Sequence, residues 1–314
     1  MKPDLFLRDE FPDGEAPYEA AQQGADAWLC VPGAHCGLWW SKVPALPGRR
    51  MGCVGAYAAV EREAGRGLLE QAVALLGERG VEAVVGPMNG NTWRPHRLVV
   101  ESDGRPPFFL EPRNPEAWVE DFRMAGFSEL ATYSSSEVPL TESPDLGHIE
   151  NRLAARGIQF RSLDRNRFGG ELERIFAVCL EAFAQNYLYT PLEREEFLAA
   201  YGKMAPHVRP ELVALAERED RLEGFLFALP DLAAVQAGRE PSLILKTLAV
   251  RPKRDLAGLG SVLVSRVQAA GRRAGFRKAL HVMQHENNAS RRLSSRFGDQ
   301  VFRRYALFAK EVTR

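Results

Sequence analysis

The sequence contains 314 residues, which fits two domains at roughly 100–200 residues per domain. Lysine plus arginine and aspartate plus glutamate balance at 41 each, so no global field draws the chain to nucleic acid or an anionic membrane, and we expect neither as a partner. No apolar run reaches the roughly 18 residues that span a bilayer, and the first residues lack the apolar stretch of a signal peptide.

The first half of the chain has the apolar patterns of four strands and one helix. Strands are predicted at 28–31, 37–40, 51–59 and 82–86, and a helix at 65–79 with one apolar face. A polar stretch with two prolines and a glycine follows at 139–147. We therefore expect a first domain over 1–142, a linker over 143–156 and a second domain over 157–314.

The second half repeats this order and adds two helices after its first strand. Strands are predicted at 157–163, 211–216, 223–229, 242–250, 278–283 and 302–310, and helices at 170–185, 192–203, 258–274 and 288–297. Helices interleaved with strands predict an α/β fold, here two tandem domains that each hold a mixed, twisted sheet flanked by helices. The shared order indicates a duplication in which the first copy has eroded and lacks the two added helices.

The segment at 250–260 joins the strongest strand to a helix and ends in Gly258-Leu259-Gly260. Glycines let the backbone approach a ligand closely, and the free N–H groups of a helix start favour an anion. Lys253 and Arg254 flank the turn and could donate charge-assisted hydrogen bonds. The pattern predicts a phosphate-binding turn.

This segment resembles the acyl-CoA loop of the GNAT superfamily of N-acetyltransferases, V-x-P-x-x-[QR]-x-x-G-x-G. The matching residues are Val250, Pro252, Gly258 and Gly260. Residues 287–298 are similar to a later segment of the family, N-x-x-[AS]-x-x-L-Y-x-[KR]-x-G. The matching residues there are Asn287, Ser290, Leu293, Arg296 and Gly298. The resemblance covers about residues 157–314.

The resemblance implies that the second half binds acetyl-CoA, without a metal, between the strands at 242–250 and 278–284. A backbone N–H near Leu248 would polarise the thioester carbonyl, and Asn287 or Asn288 would bind the pantetheine amides. Asn287 is the better ligand candidate, because Asn288 could serve only as a helix cap. The residues expected at the cofactor are Leu248, Ala249, Val250, Lys253, Arg254, Leu256, Ala257, Gly258, Leu259, Gly260, Ser261, Asn287, Asn288 and Ser290.

Two positions depart from the family pattern. Asp255 stands where the family usually has glutamine or arginine, and a carboxylate beside a pyrophosphate is unfavourable unless it points away. Ser294 stands where many members have a tyrosine that protonates the leaving thiolate, and a serine hydroxyl is a poorer acid. Other tyrosines that could take this role are Tyr187, Tyr189 and Tyr305.

The general base is open among His281, His285 and Glu286, all at or after the strand at 278–283. His285 is the candidate we favour, although a histidine at such a position is more often packed or solvated. With Leu248 and Ser294 it completes the set of catalytic candidates.

The first half contains two motifs of its own. Residues 62–67 fit [QR]-x-x-G-x-G without the V-x-P entry, so they indicate either a second acyl-CoA site or a simple helix start. The polar, aromatic loop at 86–97 is either structural or covers the acceptor site of the other half.

We expect a cytoplasmic enzyme that transfers acetyl from acetyl-CoA to a primary amine of a small molecule or peptide by direct attack in a ternary complex. The four cysteines form no C-x-x-C pair, which fits a reducing compartment and no structural metal. One alternative is a CoA-binding or sensing protein with little turnover. Another is a transferase that uses aminoacyl-tRNA, which the charge balance and the glycine loop disfavour. The oligomeric state is left open.

Overall fold

The computed structural model describes residues 3–141 and 144–312. Its strands are β1 (Asp4–Leu7), β2 (Ala27–Val31), β3 (Ala34–Trp39), β4 (Met51–Ala59), β5 (Ala83–Gly86), β6 (Leu98–Ser102), β7 (Ser128–Pro139), β8 (Gln159–Ser162), β9 (Val213–Arg218), β10 (Arg221–Pro230), β11 (Leu243–Val250), β12 (Lys278–His285) and β13 (Gln300–Glu311). Its α-helices are α1 (Glu15–Gln22), α2 (Arg62–Glu78), α3 (Glu116–Met124), α4 (Gly147–Ala154), α5 (Phe168–Ala182), α6 (Arg194–Gly202), α7 (Leu232–Gln236), α8 (Leu259–Arg273) and α9 (Ala289–Ser295).

All thirteen strands join in one mixed sheet with helices on both faces, which confirms the predicted α/β fold. Twelve strands follow the order β1-β2-β3-β4-β5-β13-β7-β12-β11-β10-β9-β8, and β6 pairs with β13 beside this path. Two neighbouring pairs are parallel, β4 with β5 and β11 with β12, and each is the pair that a long helix connects. The sheets expected for the two halves therefore meet edge to edge.

The two halves exchange strands where they meet. The last strand of the chain, β13, lies between β5 and β7, so its neighbours in the sheet all come from the first half. In return, β7 of the first half pairs with β12 of the second. Each half thus closes the sheet of the other.

Separate apolar layers cover the two faces of each half. In the first half, α2 and α3 pack on one face, and α1 packs on the other. In the second half, α4 and α8 cover one face, and α5 and α6 cover the opposite face. The long helices α2 and α8 thus hold equivalent places in the two halves.

The predicted elements lie within a few residues of their observed bounds, but seven of the described elements were missed: β1, α1, β6, α3, β7, α4 and α7. The predicted linker over 143–156 contains α4, which packs against α8, while residues 142 and 143 lie outside the described residues. The first half has one short helix, α1, before its central strands, where we predicted none. Among the described residues, no helix is both long and apolar enough to cross a membrane.

Candidate functional site

The strands β11 and β12 separate in the middle of the sheet. They pair only from Leu243 to Leu245, and beyond this point the edge of β11 has no strand partner among the described residues. Both strands carry a β-bulge at the separation, at Lys246 in β11 and around Met283 in β12. Bulges of this kind redirect side chains and commonly adjoin functional sites.

A groove runs from this separation to the first turn of α8. Helix geometry leaves the first N–H groups of α8 without intrahelical acceptors, so they are available to a bound anion. Gly258 precedes the helix with φ +87°, a backbone conformation that only glycine adopts easily. The exposed side chains of Arg292 and Arg296 border the same groove and add positive charge.

Most of the residues predicted at the cofactor border this groove. They are Leu248, Ala249, Val250, Leu256, Gly258, Gly260, Ser261, Asn288 and Ser290. The remaining ones do not: Leu259 is buried in the core, Asn287 is exposed at the strand exit, and Lys253, Arg254 and Ala257 lie outside the lining. Their proposed contacts with a ligand stay predictions.

Lys253 and Asp255 belong to an ion-pair network, which corrects the picture of a free lysine at the turn. The Nζ atom of Lys253 lies 2.9 Å from both carboxylate oxygens of the buried Glu223. Arg218 donates to Glu223 at 3.0 Å and to Asp255 at 2.7 Å. Burial raises the pKa of Glu223, but the bonds to Lys253 and Arg218 outweigh it and hold that pKa below its usual range. Asp255 thus has its own partner.

We predict that Asp255→Asn changes the affinity for acetyl-CoA by less than about twofold. The Arg218–Asp255 pair lies at the surface, where such pairs contribute about 0–1 kcal/mol, and its partner Arg218 keeps the bond to Glu223. Calorimetric titration of the variant and the parent protein measures the ratio. A change of tenfold or more would show that Asp255 faces the ligand.

At its inner end the groove opens into a cleft of about 280 Å³ between the two halves. The first half contributes Thr92, Trp93, His96, Arg97 and Tyr133, and the second half contributes β11, β12 and residues 183–189. Groove and cleft share Phe183, Asn186, Leu248, Asn288, Ser290 and Leu293 in their linings. A ligand in the groove therefore reaches the cleft without leaving the protein surface.

The loop at 86–97 has a structural part and a part that lines the cleft, and a role at the acceptor site stays a prediction. Asn89 and Asn91 are buried and bond the first half's own backbone, at Ala56 and Trp93. Trp93 reaches the second half, where its Nε1 donates to the carbonyl oxygen of Thr190 at 2.8 Å. The beginning of the loop is structural, and its end forms one wall of the cleft.

Ser294, predicted as a catalytic residue, is not among the described residues that line the groove or the cleft, although the two side chains that it bonds line the cleft. Its hydroxyl is fully buried and bonds the Nδ1 atom of His281 at 2.6 Å and the Oε1 atom of Gln284 at 2.9 Å. Burial lowers the pKa of His281 to about 4, so this histidine is neutral at pH 7. The hydroxyl of Ser294 therefore has its hydrogen bonds within the protein interior, which disfavours it as an acid that donates to a leaving group.

The tyrosine candidates divide in the same way. Tyr305 is buried, donates to Glu111 and lines neither the groove nor the cleft, which disfavours it as an acid for the site. Tyr187 and Tyr189 both line the cleft. The hydroxyl of Tyr189 is buried and has no hydrogen-bond partner within the part of the chain that is described. These two remain available for contact with a leaving group.

His285 lines the cleft, but its hydrogen bonding disfavours the role of general base. The backbone N–H of Asn287 donates to its Nδ1 atom at 3.1 Å, so the neutral ring carries its proton on Nε2. Burial and the nearby Arg97 lower the pKa of His285. Its free nitrogen therefore presents a donor at neutral pH. The ring packs edge-on against Tyr133, with centroids 5.0 Å apart.

Comparison with known proteins identifies the family of one part of the chain. A model of the acetyltransferase (GNAT) family matches residues 172–298. This stretch is a GNAT domain. The match contains the groove, both separated strands and most of the second half's cleft wall.

Solved structures extend the similarity in fold to nearly the whole chain. A GCN5-related N-acetyltransferase from Sphaerobacter thermophilus has 17% identity and a TM-score of 0.55, over 98% of this chain and 89% of that one. The glucosamine N-acetyltransferase region of a fungal β-N-acetylglucosaminidase has 13% identity and a TM-score of 0.56, over 98% and 38%. A GCN5-related N-acetyltransferase from Anabaena variabilis has 9% identity and a TM-score of 0.51, over 95% and 66%. No curated protein sequence matches the chain.

Two cations of the cleft were missed by the sequence analysis. Arg97 enters the GNAT domain's cleft from the first half, and its guanidinium lies 4.0 Å from the centre of the Tyr133 ring. Lys246 is the bulged residue of β11, and burial together with Arg97 lowers its pKa to about 8. A lysine within the otherwise apolar strand at 242–250 was the one available indication.

In the first half, the place that corresponds to the groove is occupied by residues of the first half itself. Its parallel strands β4 and β5 also pair over three residues, but the Met88 N–H then donates to the Val54 carbonyl and closes the gap. At the start of α2, a Cβ on Gly65 would lie 2.3 Å from the Tyr57 hydroxyl and 3.0 Å from an Asp121 carboxylate oxygen. The side chains of Tyr57 and Asp121 therefore occupy the space at this helix start, and a carboxylate such as that of Asp121 repels a phosphate.

The described residues contain no group of three or more His, Cys, Asp or Glu side chains arranged to hold a metal ion.

Proposed function

We propose that the protein is an N-acetyltransferase that transfers acetyl from acetyl-CoA to a primary amine of a small molecule or peptide. One observation supports this most strongly: the groove at the start of α8 continues along the open edge of β11 into the cleft between the halves. The phosphates of CoA would bind at the first turn of α8, and the pantetheine arm would bind the β11 edge as an added strand.

The acetyl group would then lie near Leu248, which both the groove and the cleft share. The nitrogen lone pair of the amine attacks the thioester carbonyl carbon, the C–S bond breaks, and CoA leaves as a thiolate. The nitrogen loses one proton and the thiolate gains one. Tyr187 or Tyr189, which both line the cleft, would donate to the thiolate.

The positive charge of the cleft would act on both the attacking amine and the leaving thiolate. Lys246 and Arg97 disfavour the ammonium form of a bound amine, so its pKa falls and the neutral nucleophile becomes accessible. The same charges stabilise the developing thiolate. A water chain would carry away the proton, because the described residues place no carboxylate in the lining of the cleft to act as the base.

The two halves would have different roles in binding. The second half binds the single acetyl-CoA, and the end of the 86–97 loop supplies the first half's wall of the acceptor site. The filled helix start at Gly65 and the closed gap at Val54 support one cofactor site per chain.

We expect calorimetric titration of the whole protein with acetyl-CoA to give one site per chain. Two sites would contradict the division of labour, and no binding would contradict the proposed function. Incubation with a panel of amines, followed by mass detection of N-acetylated products and free CoA thiol, tests turnover. Binding without any product would favour the alternative of a CoA-binding protein.

A further inference from the structure

The cleft has an unusual balance of charge. Among the described residues, its lining includes the cations Lys246 and Arg97 and no aspartate or glutamate. The lining histidines His96, His281 and His285 add no positive charge at neutral pH, because burial lowers the pKa of each. A cleft that takes a simple polyamine would place carboxylates opposite the positive groups of its ligand. Here a purely cationic acceptor would meet only like charge.

Lys246 is placed in the cleft by the sheet itself. Along β11, Thr247 pairs with Phe227 and Leu245 with Ala228, so Lys246 is the extra residue of the bulge. Pairing with β12 ends at the preceding residue, Leu245. The ammonium has no salt-bridge or hydrogen-bond partner among the described residues, although its side chain is partly buried. An unpaired cation at such a place is costly unless a ligand neutralises it.

Arg97 is fixed beside it by the backbone of both halves. Its guanidinium donates to the Met283 carbonyl at 3.0 Å and to the His96 carbonyl at 3.2 Å. Its position over the Tyr133 ring holds the plane of the guanidinium. These bonds use only part of its five N–H donors, and no carboxylate is among its partners in the described chain.

From this juxtaposition we propose that the acceptor amine also carries an anionic group, a carboxylate or a phosphate, which Lys246 and Arg97 bind. The proposal rests on the proposed function, because it names the class of acceptor for the same site. The anion would lie against the two bulges, and the amine would lie toward Leu248 and the thioester. A ligand of this kind satisfies both cations and leaves its nitrogen free to attack.

The test uses the whole protein saturated with CoA and pairs of amines that differ in one anionic group. The probes are phosphoethanolamine with ethanolamine, glucosamine 6-phosphate with glucosamine, and glycine with glycinamide. We expect the anionic member of at least one pair to bind about tenfold more tightly or better, by saturation-transfer NMR or calorimetry. The first two pairs report a phosphate preference, and the third reports a carboxylate preference.

Lys246→Met keeps the apolar stem and removes the charge, so the preference should fall to within about twofold when the variant is likewise saturated with CoA. Lys42→Met removes the same charge from an exposed site of the first half and should keep the preference. Equal binding of both members in every pair would overturn the proposal. So would a preference that survives Lys246→Met, or the binding of no amine to a protein that does bind CoA. If the parent protein does not bind CoA at all, the proposed function is refuted instead.

Discussion

A fragment over residues 147–314, expressed alone, should fail to form a stable fold although it contains the whole GNAT domain. Its last strand, β13, has strand partners only in β5, β6 and β7, and all three belong to the missing half. Its strand β12 would also lose its partner β7 and expose a sheet edge.

The expected loss is large compared with the stability of a domain. Tyr305, Leu307 and Phe308 of β13 are completely buried in the whole chain. Burial of each such side chain contributes about 1.5–3 kcal/mol, and a typical domain is stable by about 5–15 kcal/mol in total. Glu111 of the first half, which is paired with Arg303 in the interior, would be lost as well.

Circular dichroism, thermal unfolding and gel filtration of the fragment provide the measurement. Co-expression with a fragment over 1–146 is the control, because the two pieces together contain every strand pair. We expect them to co-purify and to regain binding of acetyl-CoA. A monomeric, cooperatively unfolding 147–314 fragment that acetylates an amine as well as the whole protein would contradict the strand exchange as a requirement for folding.

Gly260→Glu should abolish or strongly weaken binding of acetyl-CoA. Gly260 lies in the first turn of α8 and borders the groove, and its backbone is not left-handed. A Cβ there would lie 3.3 Å from Cδ1 of Leu293, so this side-chain end must shift by a few tenths of an ångström. A new carboxylate about 4 Å from the pyrophosphate costs about 1–4 kcal/mol, which weakens binding by roughly fivefold to a thousandfold. Gly258 is less suitable, since a Cβ there would lie 2.8 Å from Ile149 of α4 and disturb packing.

The first half offers a matched control at Gly67, the counterpart of Gly260 in the 62–67 motif. A Cβ at Gly67 would meet nothing within 4 Å, so Gly67→Glu adds the same charge to an equivalent helix start without a clash. We expect acetyl-CoA to bind this variant with the affinity of the parent, in a calorimetric titration of both. Equal affinity in a folded Gly260→Glu protein, or a loss in Gly67→Glu alone, would place the cofactor elsewhere.

The sequence by itself determined those features that depend only on residues close together in the chain. The turn at Gly258 and Gly260, the amphipathic helix after it and the strand before it are all specified within about thirty positions. The fold class and the GNAT resemblance followed from this local pattern, and both the fold class and a GNAT domain over residues 172–298 are confirmed. The duplicated element order could be read in the same way, because periodicity survives where individual motifs have eroded.

The tertiary structure decided which distant residues share a site or a strand edge. Lys253 is paired with Glu223, thirty positions away, and Arg97 reaches the cleft from the other half. Periodicity shows which face of a strand is buried but not which strand lies beside it, so the exchange of β7 and β13 could not be predicted. The bulge that turns Lys246 into the cleft depends on register with β10, which exists only once the sheet has formed.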